Sequence, residues 1–462
     1  MRYTIKYDAY LPLTRLFIKI CLIITAVLFL LLPPATVSAI TLNECIDAAL
    51  EMNPGIEAAA YRVKASRAAH LQARAAWYPQ FSASGSYTRT NNPSQAFMMA
   101  LNRKTLDMTD PDFDPADPGH TDQTRFSLGM QYLLYDGGQS RMREESAKYG
   151  IDLSRYELAA ARNALVYEVA HGFYATLKAE AFVEVFQETV ASIEASLTLA
   201  RQRYHEGAAL KTDVLNLEVQ LAQTEEDLIN AENSYQMAVA ALNTAIGAEI
   251  VGPHALIPPG DERPAALIND LEKPSVERRP ELQAAALLAR VKKSDLRHSR
   301  RAYLPTVSAF GSLDMDRRVS DHFEDSYIAG ITARWDIFDG YARSGAISGS
   351  RAMRNEAVAF LKQTRKQLDL DLKDAGMKLS SARQRRVVTK TALESAAASL
   401  EMTRTLYETG AVDITALLNA QAAMTASLVR DRAAFYDYLD AQANLNRAVG
   451  KQWPWQAPAA SR

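Results

Sequence analysis

Six aspartates crowd one stretch, "DMTDPDFDPADPGHTDQ": Asp107, Asp110, Asp112, Asp114, Asp117 and Asp122. Carboxylate oxygens at that density are the donors a hard cation takes, so Ca2+ binding is the chemistry they suggest. The spacing lacks the central Gly and the distal Glu of an EF-hand loop. A solvated acidic loop is the preferred reading, and the sequence leaves Ca2+ open. Elsewhere no reactive grouping stands out. The chain has no GxSxG, HExxH, GxGxxG or P-loop motif, and its seven His are scattered. His171 falls on a helical stretch where packing or solvation accounts for it. Cys21 and Cys45 form no CxxC pair and no disulfide framework. Neither an enzyme site, a cofactor nor a metal site is expected.

Residues 1–39 read as an export signal. Arg2, Lys6, Arg15 and Lys19 precede the apolar run Ile20–Leu32, and "TVSA" offers small residues for cleavage after Ala39. The run is short for a membrane span of about 20 residues, and Pro33-Pro34 ends it. "LNEC" lacks the small residue that lipid attachment at Cys45 would need. Losing four basic residues and one Asp with the signal moves the net charge from −2 to −5, which leaves no polybasic surface for nucleic acid.

The remainder is written twice. Tyr78-Pro79-Gln80-Phe81-Ser82-Ala83-Ser84-Gly85-Ser86 recurs as Leu304-Pro305-Thr306-Val307-Ser308-Ala309-Phe310-Gly311-Ser312, an offset of 226. Further on the offset is 203. Tyr135-Asp136-Gly137 matches Phe338-Asp339-Gly340, and Tyr204-His205-Glu206-Gly207 matches Tyr407-Glu408-Thr409-Gly410. The first copy therefore carries 23 extra residues between Ser86 and Phe126. These landmarks divide the chain into a first repeat (40–250, with a β-hairpin at 80–135), a Pro-rich link (251–280), a second repeat (281–451, with a β-hairpin at 304–338) and a tail (452–462). Each repeat runs helix, strand, loop, strand, long helix, break, long helix.

Strands are expected over about 80–90, 124–135, 304–314 and 326–338. They alternate with period two. Phe126, Leu128, Met130, Tyr132 and Leu134 lie opposite Ser127, Gly129 and Gln131, and Tyr327, Ala329, Ile331, Ala333, Trp335 and Ile337 lie opposite Gly330, Thr332, Arg334 and Asp336. The helices step by three and four instead. Val214, Leu217, Leu221, Thr224, Leu228, Ala231, Tyr235, Ala238, Leu242 and Ala245 form one stripe. Leu153, Tyr156, Ala160, Asn163, Tyr167, Ala170, Tyr174, Leu177 and Ala181 form another. This is a coiled-coil stride, sustained from Gln139 to His205, roughly 100 Å of rod.

After the signal no apolar run is long enough for a membrane helix, so a spanning reading requires a closed β-barrel. Four strands of about 9–11 residues are the right length, but the smallest barrels have about eight, so chains would have to share one. Trp77-Tyr78, Tyr135, Tyr303 and Phe338 stand at the four helix–strand crossings, where an interfacial aromatic girdle would lie. Pro79 and Pro305 end the incoming helices, Asp136 and Asp339 cap the outgoing ones, and Gly137 and Gly340 make the turns. A hairpin packed on a soluble core is the competing reading.

The doubled layout, the "P-x-x-S-x-x-x-S" strand entries, "LYDGG" and "IFDGY", and the tips "RYHEGAALKTDVLNLEVQ" and "LYETGAVDITALLNAQ" together resemble the TolC-type outer-membrane efflux family over residues 41–451. The resemblance implies a mainly α chain with a small β part, four strands and two repeats per protomer. A homotrimer would join a twelve-stranded outer-membrane β-barrel to a periplasmic coiled-coil α-barrel. It implies a passive exit duct of a tripartite efflux or type I secretion system, exporting small molecules or polypeptides, with outer-membrane lipid, a periplasmic adaptor and an inner-membrane transporter as partners. It also implies a gate where the hairpins turn at Tyr204, Gly207 and Gly410. There Thr212 and Asp213 match the first hairpin's gate pair and Tyr407 the tyrosine opposite. Val412 replaces the expected basic residue, and Ala416 and Asn419 replace two pore-ring aspartates, leaving Asp413 as the nearby charge. Asp213 as a plain helix cap is the alternative there. The alternatives for the whole chain are a periplasmic coiled-coil scaffold or adaptor without a channel, and a secreted enzyme.

Overall fold

The computed structural model describes residues 40–109, 114, 116, 117, 119–252, 256–258, 276–318 and 322–451. The expected export signal, the tail from 452, most of the Pro-rich link, and Asp110 and Asp112 lie outside these.

The chain starts with α1 (Leu42–Met52), where the Thr41 hydroxyl and the Glu44 carboxylate cap each other's backbone. Asn53 then stops α1 and caps α2 (Pro54–Arg74) through its Oδ1, with Pro54 at the first helical position. A 3-10 turn, Ala75–Trp77, leads to extended Tyr78, the conformation a residue before proline prefers. The helix therefore ends a few residues before Pro79. Strand β1 (Gln80–Thr90) follows, then α3 (Pro93–Asn102) and β2 (Thr121–Tyr135). Helix α3 was not among the expected elements, although Asn92 as cap and Pro93 at the first position are a start signal. The first rod hairpin is α4 (Gln139–His205, 67 residues) and α5 (Lys211–Ile246).

The second half repeats the order with α6 (Pro280–Arg301), β3 (Thr306–Arg317), β4 (Glu324–Arg334), α7 (Ala342–Glu408, 67 residues) and α8 (Ile414–Ala448). The four strands form one antiparallel sheet in chain order, with β1 and β4 at its edges. Strand β4 stops at Arg334, short of the expected 338. Its last partner is Thr306, and beyond that the neighbouring chain is Pro305, which has no N–H to offer a ladder. Trp335 and Ile337 consequently leave the strand, and Trp335 donates from its indole to the Tyr303 carbonyl at 3.0 Å. Strands β2 and β3 reach further outward than expected, paired as far as Thr124–Arg317.

The largest apolar core joins α1, α2, α4, α5, α7 and α8, centred on Phe173, Leu177, Leu242, Ile246 and Leu439. On α5 the expected stripe is the buried one: Val214, Leu217, Thr224, Ala231, Tyr235 and Leu242 are all buried. On α4 the stripe holds only from Ala170 onward. Tyr156 is exposed, and Phe173, 1% exposed, lies off the stripe. Several helices surround α4 at that level, so its buried arc is wider than a two-helix seam.

Candidate functional site

Three places carry the residues singled out above: the sheet, the helix–strand junctions and the rod tips. The sheet's sidedness follows from its register, because opposed residues of an antiparallel ladder share a face. Leu128 pairs with Ala83 on β1 and Leu313 on β3, and Ile331 with Ala309. Gln131 pairs with Gln80 and Phe310, Ser127 with Ser84 and Asp314, and Thr332 with Ser308. One face is thus apolar across all four strands and the other polar. A recess of about 770 Å³ opens on the polar face, lined by Gln80, Ser82, Gln131, Thr306, Thr332 and Arg334. Phe310 is the aromatic exception on that face, its ring lying over Gly330 where a Cβ would meet it at 2.8 Å.

Farther along the polar face Asp316, 1% exposed, accepts from Arg125 Nε at 2.7 Å and Nη2 at 3.2 Å, and from the Gln123 amide. A buried carboxylate needs such partners to remain charged. The insert between β1 and β2 is tied down beside it: Arg103 donates to the Asp122 carbonyl at 2.6 Å, and Lys104 Nζ lies 3.0 Å from Glu324. Of the acidic loop, Asp107 and Asp114 accept from the backbone two residues on, while Asp122 belongs to β2 and sits 3.5 Å from Arg318. Reading the sequence did not find Asp316, because its partners lie on β2, far away in the chain.

At the junctions the outgoing caps are present. Asp136 accepts from the Gly138 amide at 2.9 Å and the Ser140 amide at 2.6 Å, and also from the Ser140 hydroxyl. Burial pushes its carboxyl up, but these hydrogen bonds hold it below the ordinary carboxylate value. Asp339 accepts from the Arg343 amide at 3.0 Å and guanidinium at 2.8 Å, and is likewise held low against burial. The glycines matter most in the first copy. Gly137 and Gly138 have φ of 68° and 81°, and a Cβ on Gly137 would sit 2.8 Å from Leu304. Arg301 closes this turn by donating to the Gly137 carbonyl at 3.0 Å. In the second copy Gly340 is open, and Tyr341 occupies φ 68°, an uncommon conformation for a bulky residue, edge-on to Phe338 at 5.5 Å. The aromatic residues of the crossings, Trp77, Tyr78, Tyr135, Tyr303 and Phe338, are all exposed.

At the far end of the rods both hairpins turn through glycines in the left-handed region, Gly207 at φ 76° and Gly410 at φ 78°. The tips pack together through Ile193, Leu197, Ala200, Val214, Leu217, Tyr407, Ile414 and Leu417. Among the described residues, the pairing of Asp213 with Tyr407 that the resemblance implies is not formed within the protomer. Asp213 accepts instead from the Leu210 amide at 3.2 Å, at the start of its own helix. The acid is drawn there because the first amides of α5 lack intrahelical acceptors. Tyr407, 6% exposed, faces Arg203, whose guanidinium lies 5.2 Å from its ring centroid. Asp413 caps α8 through the Ala416 amide at 3.0 Å, and Thr212, Tyr204 and Asn419 are exposed.

Higher on the rods His171 Nδ1 lies 2.8 Å from Asp440, and that hydrogen bond raises its pKa above 6.5. Cys45 is buried in the core within α1, and burial pushes its thiol up to about 12. No helix among the described residues is long and apolar enough to cross a membrane, and they contain no metal-holding cluster.

Comparison with known proteins agrees with this architecture. The Outer membrane protein OprJ of Pseudomonas aeruginosa is 25% identical over 89% of this chain and 84% of its own length. The Probable efflux pump outer membrane protein TtgC of Pseudomonas putida is 28% identical over 60% of this chain and 54% of its own. The Campylobacter jejuni CmeC outer membrane channel superposes with a TM-score of 0.79 at 16% identity, covering 88% of this chain and 85% of that one. Residues 45–248 and 274–451 match the outer membrane efflux protein family, which takes in both rod hairpins and all four strands, and the chain belongs to that family.

Proposed function

We propose that the protein is a trimeric outer-membrane exit duct. Three four-stranded sheets close edge to edge, β4 of one protomer against β1 of the next, into a twelve-stranded barrel. The rods continue from it as a tunnel through the periplasm. The observation that carries this reading is the sided, open-edged sheet. Its apolar face runs unbroken across four strands, and two edges are left unpaired, which a membrane tolerates only after closure. The exposed aromatic residues at the crossings fit one interfacial belt.

On this reading the duct is passive, and energy comes from a partner. TtgC is named as an efflux pump outer membrane protein, and on this reading the partner is an inner-membrane transporter joined through a periplasmic adaptor, in efflux or in type I secretion. Residues 1–39 act as a cleaved export signal, and mature protein begins at Ile40.

Cysteine labelling with a membrane-impermeant reagent tests the orientation. Position 332 should label in intact membranes and position 331 should not, and the reverse pattern overturns the face assignment. A Lys at Leu128, at the middle of β2, should cost about 2–4 kcal/mol of barrel stability. A coiled-coil scaffold, the competing reading, would wash from membranes at high salt. N-terminal sequencing that found a start at Cys45 would refute the cleavage site.

A further inference from the structure

Helices α2 and α6, which lead into β1 and β3, carry the same line of cations. At the repeat offset of 226, Lys64, Arg67, Leu71 and Arg74 match Arg290, Lys293, Arg297 and Arg300. Steps of three, four and three residues hold each set on one helix face, over about 15 Å. All eight residues are exposed. Only Leu71 breaks the line, where the second copy has Arg297. Acids are scarce beside it: residues 58–79 hold no Asp or Glu, and residues 290–303 hold Asp295 alone.

These charges are little engaged within the protomer. Arg74 Nε lies 3.8 Å from Glu144 and Arg297 3.5 Å from Glu145, both on α4, and such solvent-exposed pairs hold weakly. Among the described residues no carboxylate pairs with Arg67, Lys293 or Arg300. The far end of the sheet differs, since there Arg125 is paired with buried Asp316 and Lys104 with Glu324.

Three and four residues beyond Arg74 and Arg300 come Trp77-Tyr78 and Tyr303-Leu304, all exposed. A line of cations that runs into exposed aromatic and apolar side chains fits the boundary between hydrocarbon and headgroups. In a water-filled lumen the same apolar groups would stand exposed at a cost. A guanidinium also meets phosphate oxygens in a bidentate pair.

We propose that this doubled line binds the phosphate groups of anionic phospholipids in the leaflet facing the periplasm, two lines to each protomer. The proposal rests on the outer-membrane barrel reading above. Arg74 and Arg300 touch the headgroups. Arg67 and Lys293, seven residues lower and so about 10 Å away, add attraction across roughly one Debye length.

Purified protein reconstituted in vesicles tests this. Trp453→Phe and Trp455→Phe leave Trp77 and Trp335, at the crossings, as the reporters among the chain's four Trp. Brominated phosphatidylglycerol then competes with phosphatidylcholine to quench their fluorescence. Phosphatidylglycerol should be favoured about fivefold, the factor for one basic residue beside an anionic surface, and salt at about 0.5 M should erase the preference. Arg74→Gln with Arg300→Gln should bring it to about one, while Arg74→Lys with Arg300→Lys keeps most of it. Lys378→Gln, which removes a cation far along α7 that pairs with Asp374 at 2.8 Å, should leave it unchanged.

Wild-type preference in the glutamine double variant overturns the proposal, as does a preference that survives high salt. Loss of the preference to inorganic phosphate at matched ionic strength also overturns it, by marking a site for the free anion. If the double variant shifts ion selectivity in planar bilayers but keeps its lipid preference, the cations line the lumen and the proposal falls. If that variant does not assemble, the salt dependence of wild type decides. Absence of quenching of wild type by either brominated lipid would instead refute insertion of the barrel.

Discussion

Helices α4 and α7 have the same length and follow the same Asp-Gly turn, but they are used differently. Helix α4 buries seventeen residues, among them Leu165, Val169, Phe173, Leu177, Ile193 and Leu197, and lies at the centre of the protomer. Helix α7 buries six, Ala357, Leu368, Ala375, Leu379, Ala382 and Tyr407, and leaves Phe360, Leu370, Met377, Val387 and Val388 in the open. Duplication copied the length and the turn, not the surroundings. One rod is completed inside its own chain. The other keeps an apolar face that a neighbouring protomer would cover in the proposed trimer.

The largest test of that contrast is a pair of aromatic truncations. Phe173→Ala removes a fully enclosed ring from α4 and should cost about 3–5 kcal/mol in denaturant unfolding of the solubilised protein. Phe360→Ala, on a ring 49% exposed in the protomer, should leave protomer unfolding nearly unchanged. Equal costs would mean that the rods are not differently used. A sharper version targets assembly. Val387→Glu places a charge on the open face of α7 and should dissociate the trimer, as read by native mass measurement, while the protomer's helix content persists. A trimer that survives this change argues that the face meets water.

The two turns allow a finer comparison. Asp136 is buried with three hydrogen bonds, whereas the less buried Asp339 accepts from the Arg343 amide and guanidinium. Asp136→Ala should therefore cost about 0.5–2 kcal/mol, the range for losing a helix cap, and Asp339→Ala less. Both carboxyls titrate lower in the folded protein than their ordinary value of 3.8. Their stabilisation is thus present above that value and lost as pH falls through the depressed folded values. Acid unfolding should shift in Asp136→Asn more than in Asp339→Asn.

The smallest effect belongs to His171. It links α4 to Asp440 on α8, while its counterpart on the second rod, Asp374, pairs with Lys378 of its own helix at 2.8 Å. Because the folded pKa of His171 lies above 6.5, its stabilisation is complete below that value and lost as pH rises through the folded pKa. His171→Gln should flatten the unfolding profile across that window, and Asp374→Asn should not.

The α5 stripe was legible because a two-helix seam repeats with the helix itself, so counting by three and four finds its buried residues. The α4 stripe failed before Ala170 and missed Phe173, since packing there is set by several neighbours brought in from other parts of the chain. The end of β4 was misplaced for a related reason. Alternation continues through Trp335 and Ile337, but a strand lasts only as long as its partner, and Pro305 ends β3's ladder. At the tip the glycines were legible as turns, and the partner of Tyr407 was not.

Sequence alone determined the duplication, the offset between copies, the length of the rods, the turn glycines and the sidedness of the strands. The rods, turns and sidedness are local patterns, written in residues a few positions apart, and the duplication is a direct match of one stretch of residues to another. Tertiary structure decided that Arg203 meets the end of α7, that Asp316 is buried with Arg125 and Gln123, and that α7 keeps an open face. Those depend on residues about two hundred positions apart in the chain, whose approach is set by how whole helices and strands pack. No period or spacing in a single sequence records that distance.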